Sequence, residues 1–401
     1  MSFKSKKIIR QIHLWLGFAS GLVVFIVAIT GAIYTFESEI SDLVYPYRKV
    51  EIQHSKPIIS IAEIKEKVKP HLKKIYAIYF LGKDRSIQVR ESHKIDGKLI
   101  NNYVYLNPYT GEVLNVKIND PTFFDVVVEL HTSLLLGEIG TEIVRYATLI
   151  FFILIISGIY LWWPQKKQNL KQRLKFDWKG TTKWKRKNFD LHSVLGFYAS
   201  WIIIFVTITG LAWSFEWVDK TIYAIATFGK PFKNYTVVNS VSNPYHKPKS
   251  EIDDLILNYS LANYDKPIAQ WSYFPPQTNT EAIRVFINPE ARTWYKAAYF
   301  YFNQYTGELL ASESPEKFNN GETIRNMYYD IHIGKILGLP GQLLVFFACL
   351  VVASLPITGF FIWYGRRKKQ PKFQAHCQSP ASRHTSQSFD KELVMQPQKK
   401  N

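Results

Sequence analysis

Residues 14–36 read LWLGFASGLVVFIVAITGAIYTF, a run without a single charge. About 20 consecutive apolar residues are enough for a helix to cross the hydrocarbon core of a bilayer. A helix can do so because it satisfies its own backbone hydrogen bonds where no water is present. Three more runs share this character, at 146–163, 194–215 and 337–364. Glu142 and Arg145 stand just before the second, and the third and fourth are uncharged. A buried core helix explains one such run but not four of them. The first run is not a cleaved signal peptide, since its apolar stretch is too long and no A-x-A site follows it. The expected fold is an α-helical membrane protein with a four-helix transmembrane bundle.

The rest of the composition fits around these spans. The chain has 401 residues, of which 47% are hydrophobic and 15% aromatic, which excludes disorder. Two cysteines exclude a disulfide scaffold. A net charge of +18 would ordinarily raise nucleic acid as a partner. Its distribution argues otherwise. Residues 1–12 carry +4, the 164–188 connection +9 and the tail 364–401 +7, so the remainder is slightly acidic. Basic segments flanking membrane spans face the cytoplasm. Both termini and the middle loop are therefore expected inside, with anionic lipid rather than nucleic acid as their partner. Trp162, Trp163 and Trp363 fall at the cytoplasmic ends, where an aromatic belt is expected. Cys349 in a span and Cys377 in the tail share no surface, so no disulfide is expected.

The expected order is a cytoplasmic N-terminus (1–12), a first span (13–36) and an external segment (37–123). An interfacial segment and second span (124–163) lead to the basic cytoplasmic loop (164–188). A third span (189–216), a second external segment (217–328) and an interfacial segment with the fourth span (329–364) follow. The basic tail (365–401) is expected to be disordered.

The spans repeat. IHLWLGF at 12–18 matches LHSVLGF at 191–197, and ITGAIYTFE at 29–37 matches ITGLAWSFE at 208–216, both at an offset of 179. Spans 2 and 4 align at an offset of 201, placing His131 on His332, Gly158 on Gly359 and Trp162 on Trp363. The external segments share NPYTGEVL at 107–114 and NQYTGELL at 303–310. An internal duplication of one unit is expected, with equivalent residues facing each other at equal depth. Each external segment reads as α+β. In the first, Ser60 and Glu63 form a capping box opening a helix to about residue 72. Strands are expected at 74–81, 86–93 and 99–106, with a hairpin at Asp96-Gly97 and a last strand after the NPYTG turn. Ser250 and Asp253 mark the equivalent helix start in the second.

A helix followed by antiparallel strands that end in an N-P-Y-T-G-E turn resembles the PepSY module. Two such modules between four spans are similar to the PepSY-associated transmembrane helix family. The motifs are H-x-x-x-G at His13–Gly17 and His192–Gly196, and L-H-x-x-L-L-L-G at 130–137, of which I-H-I-G-K-I-L-G at 331–338 is a looser version. The resemblance covers about residues 8–364. It implies two extracytoplasmic PepSY-like modules and an iron-regulated protein of the bacterial inner membrane. The best-understood branch, the ferric-siderophore reductases, carries two b-type haems in the four-helix bundle.

Ten histidines occur. His54, His71, His93, His246, His376 and His384 are expected as solvated surface residues. His13, His192, His131 and His332 occupy duplicated positions at span ends, where ionisable groups are costly and tend to be functional. A core about 30 Å thick prevents one metal from joining His13 to His131. The pairs are then His13 with His192 on the inner side and His131 with His332 on the outer side. Two imidazoles suit six-coordinate haem iron and electron transfer, whereas zinc needs four ligands and no thiolates stand nearby. Gly17 and Gly196, one turn away, either leave room for a macrocycle or serve close helix packing. Arg10 and Lys187 near the inner pair, and Arg145 and Lys335 near the outer pair, are candidate contacts for haem propionates. The inner cations also follow from topology, and Arg145 can pair with Glu142 instead. Glu37 and Glu216 end spans 1 and 3 and are candidates for proton or substrate contacts, or plain interfacial carboxylates.

Two bis-histidine haem b groups at two depths would make an electron route from the cytoplasm to the outer side. The resemblance implies a ferric siderophore or other ferric chelate as substrate. No G-x-G-x-x-G stands in the sequence. The electron donor is therefore expected to be a quinol or a separate reductase. A non-enzymatic PepSY regulator that inhibits a protease or senses an envelope ligand is the alternative, and it has no need of paired imidazoles. A transporter would show polar residues at mid-membrane, for which Thr30, Thr209 and Pro356 are the only hints.

Overall fold

Among the residues described in the computed structural model, which are 3–95, 98–164, 170–234, 238–241, 249–291 and 293–367, four helices are long and apolar enough to cross a membrane. They are Ser5–Tyr34, Gly137–Trp162, Trp184–Ser214 and Lys335–Arg367. The protein is a membrane protein. The Asp96-Gly97 hairpin, His246, and the tail beyond Arg367 with His376 and His384 lie outside the described residues.

The chain begins with α1 (Phe3–Tyr34) and α2 (Glu37–Val44), then α3 (Ile61–Val68) and strands β1 (Ala77–Phe80), β2 (Ile87–Ile95), β3 (Lys98–Leu106) and β4 (Val113–Lys117). Helices α4 (Phe123–Ser133) and α5 (Gly137–Trp162) return it to the end of the bundle where α1 begins, where Lys6 bonds the Trp163 carbonyl. After α6 (Leu170–Leu174), α7 (Trp184–Asp190) runs through a π-turn (Leu191–Leu195) into α8 (Gly196–Ser214). Then follow α9 (Glu216–Ala226), α10 (Lys249–Ala262), β5 (Gln270–Phe274), β6 (Ile283–Asn288), β7 (Ala298–Phe302), β8 (Leu309–Glu313), α11 (Asn320–His332) and α12 (Gly338–Arg367). The element order of the first half recurs in the second.

In the membrane part α1 packs on α5 and α12, and α8 packs on the same two helices, which closes a ring of four. Its core is apolar and small-residued, with Val24, Ala28, Ala32, Ile155, Ile203, Ala348, Val352 and Ala353 buried. Outside, all eight strands form one antiparallel sheet in the order β4-β3-β2-β1-β5-β6-β7-β8. The two halves meet where β1 pairs with β5, Ile78 opposite Tyr273. The period of two in a strand sends alternate residues to opposite faces. Ile78, Ile87, Val89, Val104 and Leu106 face α3 and α10 and are fully buried with Ile61, Ile64 and Ile256. Tyr79, Gln88, Arg90, Tyr103 and Tyr105 therefore point to the other face, toward the bundle.

Local chemistry sets several boundaries. Ser60 caps α3 by accepting from the Glu63 N–H at 3.1 Å. The helix stops at Val68 rather than near residue 72 because Pro70 has no N–H with which to continue the helical ladder. The first strand starts at Ala77 rather than 74 because the N–H groups of Lys73 and Lys74 donate to the Glu91 carboxylate, at 3.0 and 2.9 Å, instead of to a ladder. Helices α4 and α11 each open with a complete capping box, Thr122 with Asp125 and Asn319 with Glu322. Trp163 is exposed as an aromatic belt requires, but Trp162 is not part of one. It is 5% exposed and stacks on Phe197 at 3.6 Å between ring centres.

Candidate functional site: paired histidines at two depths

His13 lies in α1 and His192 in the π-turn that opens α8, both near the basic end of the bundle. π-Turns inside helices often mark functional positions. His131 and His332 are at the ends of α4 and α11, the short helices that precede α5 and α12. Each of these two reaches onto a span of its own half. An added Cβ on Gly31 would lie 3.1 Å from Cε1 of His131, and one on Gly210 would lie 3.4 Å from Cε1 of His332. The inner pair is seated in the same manner, His13 on Gly158 of α5 and His192 on Gly359 of α12, at 3.5 and 3.3 Å. Gly17 and Gly196 do not seat a histidine. Gly17 faces open space and Gly196 meets Leu355. On α1 the levels of His13 and Gly31 are separated by roughly 27 Å at 1.5 Å per residue, close to the thickness of a bilayer core.

The residue before each of these glycines binds the histidine. Nδ1 of His13 meets Ser157 Oγ at 2.8 Å, and Nδ1 of His192 meets Thr358 Oγ1 at 2.9 Å. Nδ1 of His131 meets Thr30 Oγ1 at 3.1 Å, and Nδ1 of His332 meets Thr209 Oγ1 at 2.9 Å. Thr30 and Thr209 are therefore histidine partners and not the polar lining of a transport path.

These contacts assign the tautomers. A hydroxyl has one hydrogen. In all four cases it donates to a carbonyl of its own helix: Ser157 to Leu154, Thr358 to Ser354, Thr30 to Ile26 and Thr209 to Val206. With the hydroxyl hydrogen placed on that carbonyl the oxygen accepts, which assigns the proton to Nδ1 and the lone pair to Nε2. The carbonyl of Val27, 3.0 Å from Nδ1 of His131, requires the same assignment. Among the described residues no hydrogen bond engages Nε2 of any of the four. A hydroxyl or carbonyl on the remote nitrogen is the usual support of a metal-ligating histidine.

The rings are paired across the bundle. His131 and His332 have centres 6.2 Å apart and planes at 82°. Two imidazoles on opposite sides of one metal ion, with bonds of about 2 Å, have centres roughly 6 Å apart. His13 is near enough to His192 to act on it electrostatically. Trp213 packs on His332 at 5.1 Å. Among the described residues no group of three or more His, Cys, Asp or Glu could hold a metal ion. Among the described residues each depth thus offers a pair of histidines and no third His, Cys, Asp or Glu beside it.

The other candidates scatter. Arg10 is exposed on α1 and close to Arg366. Lys187 lies over the Trp178 ring at 5.8 Å. Arg145 pairs with Glu142 at 3.0 Å and stacks on Phe215. Glu216 is on the surface, bonded to Lys220 at 2.8 Å. His54 and His71 are exposed and His93 is half-buried. Glu37 and Lys335 instead line a cavity of about 310 Å³ between the sheet and the outer end of the bundle. Its walls include Arg48, Arg85, Arg90, Tyr79, Tyr103 and Tyr105 from the external part, and Tyr34, Phe124 and Tyr329 from helices that carry or seat the outer histidines. Burial pushes the phenols of Tyr79 and Tyr103 up to about 12, so both stay protonated donors.

Sequence reasoning overlooked the four hydroxyl partners and the cavity. A signal for the first existed, since each span holds a Ser-Gly or Thr-Gly pair near a histidine level. It is not selective, because Ser20-Gly21 is another such pair and faces Pro356.

No curated protein matches the chain. The family model described as PepSY-associated TM region matches residues 10–366, which takes in all four spans, the external sheet and the four paired histidines. The chain belongs to the PepSY-associated transmembrane family.

Proposed function

We propose that the chain is a di-haem electron-transfer protein of the bacterial inner membrane that reduces a ferric siderophore or other ferric chelate on the outer side. Both termini face the cytoplasm in this reading, where a quinol or a separate reductase supplies electrons. The two external halves are PepSY-like modules that arose by internal duplication.

The observation that carries the reading is the common preparation of four imidazoles. Each has Nδ1–H bound to a hydroxyl oxygen, a glycine beneath the ring and Nε2 left as a donor lone pair. With two histidines at each depth among the described residues, the pairs fit a metal that brings further ligands of its own, and a protein-only zinc or iron site there lacks ligands. Two buried polar groups near the pairs fit the anionic edge of such a group. Trp162, one turn beyond Gly158, has an Nε1–H with no partner, and so does Nε of Arg145. A bound haem b supplies a one-electron Fe(III)/Fe(II) couple.

His13 with His192, and His131 with His332, would be the axial ligands. Ser157, Thr358, Thr30 and Thr209 hold the rings in one tautomer and orientation. The apolar core between the two depths keeps water out. The cavity abuts the outer pair through Tyr34, three residues beyond Gly31, and Tyr329, three residues before His332. A ferric chelate there sits beside the outer donors. Fe(II) is the softer and more weakly chelated ion, so reduction releases it.

A reduced-minus-oxidised visible spectrum of protein from haem-sufficient cells tests this. The expected content is about two b-type haems per chain, with His131→Ala and His13→Ala each losing one. Absence of haem overturns the reading.

A further inference from the structure

The cavity wall carries charges of both signs, most of them paired. Arg48, Arg85, Arg90 and Lys335 face Glu37 and Asp125, and Asp42 braces both Arg48 and Arg85 from behind. Three of the four cations have carboxylates nearby: Arg48 pairs with Glu37 and Asp42, Arg85 with Asp42 and Asp84, and Lys335 lies near Asp330. The carboxylates are also occupied. Glu37 accepts from Ser41 at 3.1 Å and pairs with Arg48 at 3.5 Å, while Asp125 accepts from the N–H and hydroxyl of Thr122 at 2.8 and 2.7 Å.

Arg90 is different. Among the described residues no carboxylate pairs with it. Its guanidinium lies over the rings of Tyr76 and Tyr79, at 4.6 and 5.4 Å, and its Nε–H is buried with no hydrogen-bond partner. Arg90 is half-buried and bonds the Tyr103 hydroxyl, but its buried Nε–H is unmet, and an anionic ligand would meet both that donor and the charge. Tyr79 and Tyr103 beside it remain neutral donors, so they add hydrogen bonds to an anion and no opposing charge. At about 310 Å³ the space holds roughly ten waters, enough for a small chelate or one arm of a large one.

We propose that this cavity binds an anionic oxygen-donor metal chelate, carboxylate or catecholate, with Arg90 as the residue that selects its charge. The inference deepens the reading of the protein as a ferric-chelate reductase by naming the charge class of the substrate, and it rests on that reading only for the chemistry that follows binding.

Gallium(III) complexes keep the ferric charge and shape without being reduced, so they read binding alone. The full chain in nanodiscs is titrated with gallium(III) citrate, an anionic gallium(III) tris-catecholate and a cationic gallium(III) trihydroxamate. At least one anionic complex is expected to bind, and more tightly than the cationic one. Citrate alone would indicate a whole small chelate, and both anions would indicate entry of one arm. Arg90→Gln should weaken anion binding at least about tenfold. Gln88→Glu, which adds a like charge to the same wall while keeping its shape, should do the same and spare the cationic complex. Equal or tighter binding of the cationic complex, or unchanged anion binding in both variants, overturns the proposal. The visible spectrum of the same preparation separates the two readings. Arg90-dependent anion binding without haem leaves the cavity assignment standing and removes the reductase. Haem without anion preference does the reverse.

Discussion

A carbonyl can only accept, so the Val27 oxygen 3.0 Å from Nδ1 of His131 puts the proton on that nitrogen, and the hydroxyl contacts at all four histidines fit the same tautomer. Ser157, Thr358, Thr30 and Thr209 favour it because each hydroxyl hydrogen goes back to its own helix. The histidines were legible in the sequence because its motifs recur with a histidine at each matching position. Their partners were not, because a Ser or Thr in a span has a bland use in bonding its own helix. The glycines beneath the rings differ in tolerance. A methyl at Gly31 would stand 3.1 Å from the His131 ring, tighter than ordinary contact, and one at Gly158 would stand 3.5 Å from His13, within it. Alanine gains up to about 1 kcal/mol over glycine in a helix, and forced overpacking costs about 1–3 kcal/mol. Gly158→Ala should therefore be neutral or slightly stabilising, while Gly31→Ala should lose about 1 kcal/mol or more and disturb the outer site. Reversible unfolding in mixed micelles measures both, and a larger loss at Gly158 would contradict the seating.

At the scale of elements, the corners before α5 and α12 decide where the outer histidines sit. An added Cβ on Gly140 would overlap the carbonyl of Ser133, and one on Gly341 would overlap that of Gly334. Only glycine lets α4 and α11 fold back closely enough to place His131 and His332 against α1 and α8. The π-turn at His192 could not be read by alignment, since His13 aligns with it without a gap and sits in regular α-helix. Strand β2 shows how one element serves two faces. Arg90 points to the cavity, and Glu91 is 8% exposed, accepting from the N–H groups of Lys73 and Lys74 and from Asn102 at 2.8 Å. Burial alone would raise its carboxyl, but these hydrogen bonds hold it below the usual glutamate value. A depressed folded-state value means that its stabilisation is complete above the ordinary glutamate range and is lost as pH falls through the folded value. Glu91→Gln should cost about 1–3 kcal/mol at neutral pH. Unfolding of both proteins along a pH series should show that gap closing below roughly pH 4. A gap independent of pH would mean that the charge does not matter.

For the whole molecule, the repeat predicts two like units but not how they join. β1 and β5 belong to different halves, and nothing local in either strand names the other as its partner. Their pairing hides two edges that would otherwise be open and leaves only β4 and β8 exposed. The seam is also bonded across by Lys65 of α3, which meets the buried Asp253 of α10, a carboxylate that accepts from Tyr273 of β5 in its own half as well. The halves are alike in topology but not in chemistry. Glu37 lines the cavity, while its aligned counterpart Glu216 lies on the surface, a difference that the sequence match at these two positions conceals. Orientation is the remaining global property, and it rests on charge. The basic residues of the 164–188 connection and of both termini should stay on the cytoplasmic side, because moving them across is opposed by the same electrostatics that sets topology during insertion. Lys179 is exposed in the middle connection, and Lys220 is exposed just beyond α8 at the other end of the bundle. Each can be changed to cysteine in a Cys377→Ser background at little cost, since the Lys220–Glu216 pair is a surface one. Cys349 is buried in the bundle and should stay silent. A membrane-impermeant maleimide should label Lys220→Cys in cells with a permeabilised outer envelope, and Lys179→Cys only after the inner membrane is broken. The opposite pattern would invert the molecule and place His131 and His332, with the cavity above them, on the cytoplasmic side.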